Sequence, residues 1–425
     1  MNMYITDKML IRVISAFCLA LLLFAIGCKM ANKITYINLS QLYAPENRPS
    51  ISGLRVFNET DSTSKVFVRY NLNELIYKMP TGKTYRKALY SISYELFNSY
   101  ESDVVLDSAT FVMSDSLYYK QDFELVFDFD IRAKYPGNYL LQVTFNDLNS
   151  KHSNIYPKNI YKGSPYVAQN FLPVDELGEI IFNNWIKSST KFRLLSKNQT
   201  TQKLFVRYHD DEFPVALPPF ATAPTPTYDY VANNLFTVKV DGGTSDLLEL
   251  PGRGIYHFQT DTSTRYGITL FRFHDDYPNV TEPEQLMPPL RYLTSNKEFN
   301  EILHSDNRKQ MVDDFWVETA GNEGRAVELI KNYYSRVEYA NWYFSSFKEG
   351  WKTDRGMIYI IFGPPQIVYR RSDIETWTYG EQGNRVSLTF DFIKAINPFT
   401  DEDYILRRQT DFKNPWYVAV DYWRR

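Results

Sequence analysis

At 425 residues the chain is too long for a disulfide-stapled miniature and has room for two to four separate cores, at roughly 150 residues per domain. Its 44% hydrophobic and 23% charged residues exclude global disorder, and a net charge of -3 excludes a surface that tracks nucleic-acid phosphates by counterion release. The 33 Tyr and 29 Phe, set among 18 Gly and 21 Pro, favour a β-rich architecture with many turns.

The chain begins with Lys8 and Arg12 ahead of an uncharged apolar run, Val13 to Gly27, which is short for a bilayer span and suits the core of a secretory signal. Small residues at Ala25 and Gly27 lead into Cys28. This resembles the bacterial lipobox, although Ala25 stands where Leu is commoner. The resemblance implies lipidation of Cys28 (palmitate among its acyl chains), with that residue becoming the first of the mature chain. Cys18 lies inside the signal, so no thiol would remain to form a disulfide. Lys29 is unlike the acidic signal that retains lipoproteins in the inner membrane, so an outer-membrane anchor is implied. The sequence Lys29-Met30-Ala31-Asn32-Lys33 lacks the acidic cluster of surface-exposed Bacteroidota lipoproteins, which favours a periplasm-facing orientation. The expected division is a signal peptide over 1–27 and a tether over 28–49.

From 50 to 165 apolar residues recur with period two: Val66, Val68 and Tyr70; Ile92, Tyr94 and Leu96; Phe123, Leu125, Phe127 and Phe129. The turn Tyr135-Pro136-Gly137 then precedes an aromatic, Tyr139, and a further strand. The segment resembles immunoglobulin-like and fibronectin type III-like sandwiches. Over 166–285 the theme returns, with Lys203 to Tyr208 echoing Lys65 to Tyr70 and Leu250-Pro251-Gly252 echoing Tyr135-Pro136-Gly137, which predicts two tandem β-sandwiches. The stretch Pro214 to Pro226 is expected to be a solvated loop. His209-Asp210-Asp211 and His274-Asp275-Asp276 place imidazole beside carboxylates. Neighbours on an extended chain face opposite ways, however, so these read as Asp-rich turns and no metal site is expected.

At Asn296 the period lengthens. Phe299, Ile302, Leu303, Met311, Phe315 and Trp316 suit a helix or helix pair capped by Asn296, and Ala326, Leu329, Ile330, Tyr333, Val337, Ala340 and Phe344 form one stripe of a long helix. Gly350-Trp351-Lys352-Thr353-Asp354-Arg355-Gly356 follows, then an apolar run Met357 to Phe362, expected as a strand, and Gly363-Pro364-Pro365. With Pro289 to Leu293, Phe315-Trp316, Tyr333 to Val337, Ala340-Asn341 and Trp377-Thr378-Tyr379, these residues resemble the GWxTD domain of secreted and lipid-anchored bacterial proteins. Met357 departs from the Arg frequent there. That resemblance implies an envelope setting and no particular reaction. The Gly363-Pro364 stop, Trp377-x-Tyr379 and the strand from Val386 to Phe390 also resemble the helix-helix-three-strand module of a small lipoprotein of the outer-membrane β-barrel assembly machinery, a non-catalytic docking element. The expected third unit, 286–425, is an α+β domain with two long helices on a small antiparallel sheet.

A carboxylate at Asp354 beside Trp351 could serve as a general acid or base, but no second catalytic group stands at a recognisable spacing. No phosphate-cradling Gly-rich loop, HExxH helix or GxSxG elbow occurs. Gly350, Trp351, Thr353, Asp354, Arg355, Gly356, Gly363, Pro364 and Trp377 are therefore read as structural or partner-binding, and Arg370-Arg371 and Arg407-Arg408 as solvated strand ends. The expectation is a non-enzymatic lipoprotein with no cofactor, held to the membrane by its N-terminal lipid and docking other envelope proteins as a scaffold. Glycan binding, or hydrolysis at Asp354, is the alternative.

Overall fold

The computed structural model describes residues 33–44, 51–117, 124–223, 230–384 and 386–424. Cys28 and the signal segment lie outside the described residues, as do Phe123 and residues 224–229. Seven strands build the first β module: β1 (Ile51–Phe57), β2 (Ser64–Asn71), β3 (Arg86–Phe97), β4 (Asp107–Leu117), β5 (Glu124–Ile131), β6 (Asn138–Asp147) and β7 (His152–Tyr161). They form two antiparallel sheets, β1-β2-β5 and β4-β3-β6-β7. The alternation seen in sequence is the reason: Val66, Val68 and Tyr70 of one sheet and Ile92, Tyr94 and Leu96 of the other point into a single shared core.

The second module contains β8 (Phe171–Asp175), β9 (Phe192–Ser196), β10 (Lys203–His209), β11 (Asn234–Asp241), β12 (Thr244–Ser245), β13 (Gly254–Gln259) and β14 (Ile268–Arg272). Its strands make one seven-stranded sheet, β14-β13-β10-β11-β12-β9-β8. The half β14-β13-β10-β11 has the order of β7-β6-β3-β4, and β12-β9-β8 that of β5-β2-β1. The halves are fused because β11 turns directly into β12 at Gly242-Gly243, both with positive φ, and Asp241 pairs with Thr244. In the second module, expected from sequence as a sandwich, the two halves are thus joined into one continuous sheet around one core.

The two echoes behave differently. Lys65 to Tyr70 belongs to β2 whereas Lys203 to Tyr208 belongs to β10, the positional counterpart of β3, so that match is convergence between non-equivalent strands. The Pro-Gly echo is positional. Tyr139 at the start of β6 hydrogen-bonds back to the Lys134 carbonyl at 2.8 Å, and Tyr256 of β13 donates to the Gly252 carbonyl at 3.0 Å while accepting from its amide.

The C-terminal part contains α1 (Pro283–Leu286), α2 (Asn296–Leu303), α3 (Arg308–Ala320), α4 (Glu323–Phe344) and α5 (Asp354–Phe362). An antiparallel sheet follows, in the order β15 (Ile367–Arg370), β16 (Ile374–Tyr379), β17 (Leu388–Lys394) and β18 (Tyr404–Leu406), and then α6 (Lys413–Trp423). Ser295, not Asn296, caps α2, in a capping box with Glu298. The expected strand Met357 to Phe362 is instead helix α5. Its residues are apolar all round because the helix is buried on almost every side, and such a run carries no periodicity that separates strand from helix. The Pro-rich stretch also departs from expectation over its described part. Ala216 is buried against the C-terminal core, and the Leu217 and Pro219 carbonyls accept hydrogen bonds from Arg408 and the Gln409 amide. Residues 33–44, read as tether, pack on the same core through Ile34, Leu39 and Tyr43.

Candidate functional site

The turn between α4 and α5 is built around two glycines. A Cβ on Gly350 would stand 2.0 Å from the Ala340 carbonyl oxygen, and one on Gly356 would stand 2.0 Å from the carbonyl oxygen of Gly350, so only hydrogen fits where α4, the turn and α5 meet. Thr353 caps α5: its hydroxyl accepts from the Gly356 amide at 3.0 Å and donates to the Gly350 carbonyl at 2.7 Å. Trp351 is buried against Tyr292, whose hydroxyl donates to the Trp351 carbonyl, and the Trp351 amide donates to Asn341. At the far end Gly363 takes φ +84°, and its amide closes the helix on the Tyr359 carbonyl while its own carbonyl accepts from Tyr379. Pro364 follows, where a helix cannot continue.

Two consecutive charges open α5 and face different partners. Asp354, 7% exposed, accepts from Arg408 at 2.5 and 3.1 Å and from the Leu406 amide at 2.8 Å, which ties the start of α5 to β18 and the chain after it. Arg355, 1% exposed, donates to the side chain and carbonyl of Glu402 at 2.9 and 3.0 Å, and its plane lies over Tyr404 at 4.1 Å and Phe344 at 5.2 Å. Glu375 of β16, fully buried, lies 3.7 Å from Arg355 and takes hydrogen bonds from Arg370, Trp377 and Tyr43. Burial alone would raise its carboxyl. Arg370 and Arg355 outweigh that and hold it below the usual carboxylate value. Glu402 follows the same logic: desolvation pushes up, and Arg355, Arg370 and Lys394 bring it down to about 2. Among the motif residues, then, Trp351, Thr353, Asp354, Arg355 and Trp377 are all committed to contacts within the protein.

Arg370 and Arg408, read as solvated, are instead turned inward: Arg408 holds Asp354 of the motif, and Arg370 holds Glu375, the buried carboxylate beside Arg355. Their neighbours Arg371 and Arg407 are the exposed members of each pair. Alternation along an extended chain sends one arginine of each pair inward, and it is the only signal in the sequence that could have found them. Tyr43 and Glu402 carry no such signal. The two His-Asp-Asp segments serve separate packing roles. His209 is buried 5.0 Å from the Phe399 ring and His274 rests on Tyr277, while Asp275 pairs with Arg272. Among the described residues no group of three or more His, Cys, Asp or Glu is placed to hold a metal ion.

These features define a β-rich multidomain protein whose C-terminal α/β unit is organised by a buried turn. Residues 254–425 match the model of the GWxTD domain, and the chain therefore carries a GWxTD domain. The match begins at the first residue of β13 and so includes the last two strands of the second module. No curated protein matches the chain.

Proposed function

We propose that the protein is a non-enzymatic docking lipoprotein of a bacterial outer membrane, anchored through Cys28, which holds other envelope proteins in an assembly, secretion or motility complex. The observation that carries this reading is the engagement of both Asp354 oxygens by Arg408 and the Leu406 amide inside the fold. A carboxylate so held builds shape, and a general acid or base would need one oxygen open to a substrate.

The two β modules are read as fibronectin type III-like units. Support comes from their shared strand order and from the tyrosine that bonds back to the turn before β6 and before β13. Their sheet faces and outer strands are the surfaces offered to partners. The order α4, α5, β15, β16, β17 is also the helix-helix-three-strand order of the β-barrel assembly lipoprotein, which favours docking by analogy. Lys33 stands five residues after Cys28, a reach of at most ~18 Å, so an acylated Cys28 would keep the GWxTD domain beside the bilayer.

Cys28→Ala tests the anchor: the variant should lose palmitate labelling and move to the soluble envelope fraction, and retention of the unlabelled monomer on membranes would overturn the assignment. Purification of the native-level protein from detergent-solubilised membranes should recover a stoichiometric protein partner. A folded, solitary monomer would overturn the docking role.

A further inference from the structure

β15 is an outer strand of the C-terminal sheet, and residues 33–44 lie along its open edge. The Leu39 amide donates to the Val368 carbonyl at 2.8 Å. The Asn38 side chain imitates a neighbouring strand, accepting from the Val368 amide at 2.9 Å and donating to the Gln366 carbonyl at 3.0 Å. Three side chains of the segment are buried, Ile34, Leu39 and Tyr43, while Tyr36 between them is 75% exposed. The Tyr43 ring packs against Tyr343, Phe344 and Trp377 with centroids 5.0 to 5.7 Å away. Its hydroxyl donates to Glu375 at 2.9 Å and accepts from Arg370 at 2.6 Å, and its carbonyl accepts from the Tyr359 hydroxyl at 3.0 Å.

The segment is two 3-10 turns, Ile34–Tyr36 and Ser40–Tyr43, joined across one main-chain bond to the sheet edge. A backbone contact at a sheet edge combined with buried side-chain anchors is a way peptides are recognised. Emptying the recess takes the acceptor of the Tyr359 hydroxyl but leaves the buried charge partnered. Without Tyr43, Glu375 retains the Trp377 indole at 2.7 Å on one oxygen and Arg370 at 2.6 Å on the other. We propose that the β15 edge is a peptide-binding site of the GWxTD domain, filled in cis by residues 34–43, which accepts in their place a peptide with the pattern Ile-x4-Leu-x3-Tyr in the same two-turn conformation. The occupant already seated there supplies the chemistry: a branched aliphatic, a leucine and a tyrosine whose hydroxyl reads the Glu375–Arg370 pair.

The test uses the full chain with a protease site inserted within residues 45–50 and cut after folding. A labelled synthetic peptide of residues 33–44 should displace the nicked segment and bind saturably. Tyr43→Phe in the peptide should weaken binding about tenfold, as expected for loss of a hydrogen bond to a charged group, and Leu39→Ala at least thirtyfold. Three results would each overturn the site: no exchange at large peptide excess, loss of the near-ultraviolet circular dichroism of the domain once the segment leaves, or equal binding of the wild-type and substituted peptides.

Discussion

The first β module and the GWxTD domain each bury a cation and satisfy it in opposite ways. Lys162 of the first module directs its ammonium at the carbonyls of Thr60, Thr63 and Ala133, each at 2.8 Å, and burial followed by nearby Lys197 lowers it to about 8. Arg355 of the GWxTD domain uses carboxylates and ring faces: Glu402, Glu375, Tyr404 and Phe344. A compact ammonium can be served by backbone carbonyls that loops of many sequences can offer. A planar guanidinium demands particular side chains in particular places.

Arg355→Met should break the comparison most sharply. It leaves Glu402 and Glu375 short of a counter-charge, and a loss of about 3–5 kcal/mol is expected in the denaturant transition of the C-terminal domain. A loss below 1 kcal/mol would mean that the charge pairs of Arg355 contribute little to holding that helix. Gly350→Ala should follow at about 3 kcal/mol, the upper end for overpacking, because the colliding atom is a backbone oxygen of α4. Limited proteolysis should then cut first after residue 286 and spare the first module. Lys162→Met should cost about 1–3 kcal/mol by taking the ammonium from three carbonyls, of which that of Thr63 keeps the Thr60 amide, and its effect should stay within the first module.

The smallest expected effect is a pH dependence. Glu402 titrates at about 2 in the folded chain against a usual 4.5, so the folded state binds fewer protons than the unfolded one between those values. Its stabilisation is complete above pH 4.5 and is lost as the pH falls towards 2. Acid titration of stability should show a slope in that window that flattens in Arg355→Met and persists in Lys162→Met. An unchanged slope in Arg355→Met would assign the acid response to other carboxylates, such as Glu298 beside Arg424, which also falls to about 2.

By itself the sequence determined whatever is periodic or conformationally singular: the alternating strands of β2 and β3, the apolar stripe of α4, and the glycine-bounded motif that belongs to the GWxTD domain. Such features are legible because each residue states its own preference or repeats with its neighbours at a fixed interval. Tertiary structure alone decided the rest. Met357 to Phe362 became helix because Thr353 caps it and the core closes on almost all of its faces, a surrounding that an all-apolar run cannot announce. Arg408 found Asp354 across 54 positions, Arg370 and Tyr43 found Glu375, and residues 33–44 found β15 from more than 320 positions away. Pairings of that kind are set by how layers stack and which strand is left open at an edge, and no local spacing in the chain encodes either.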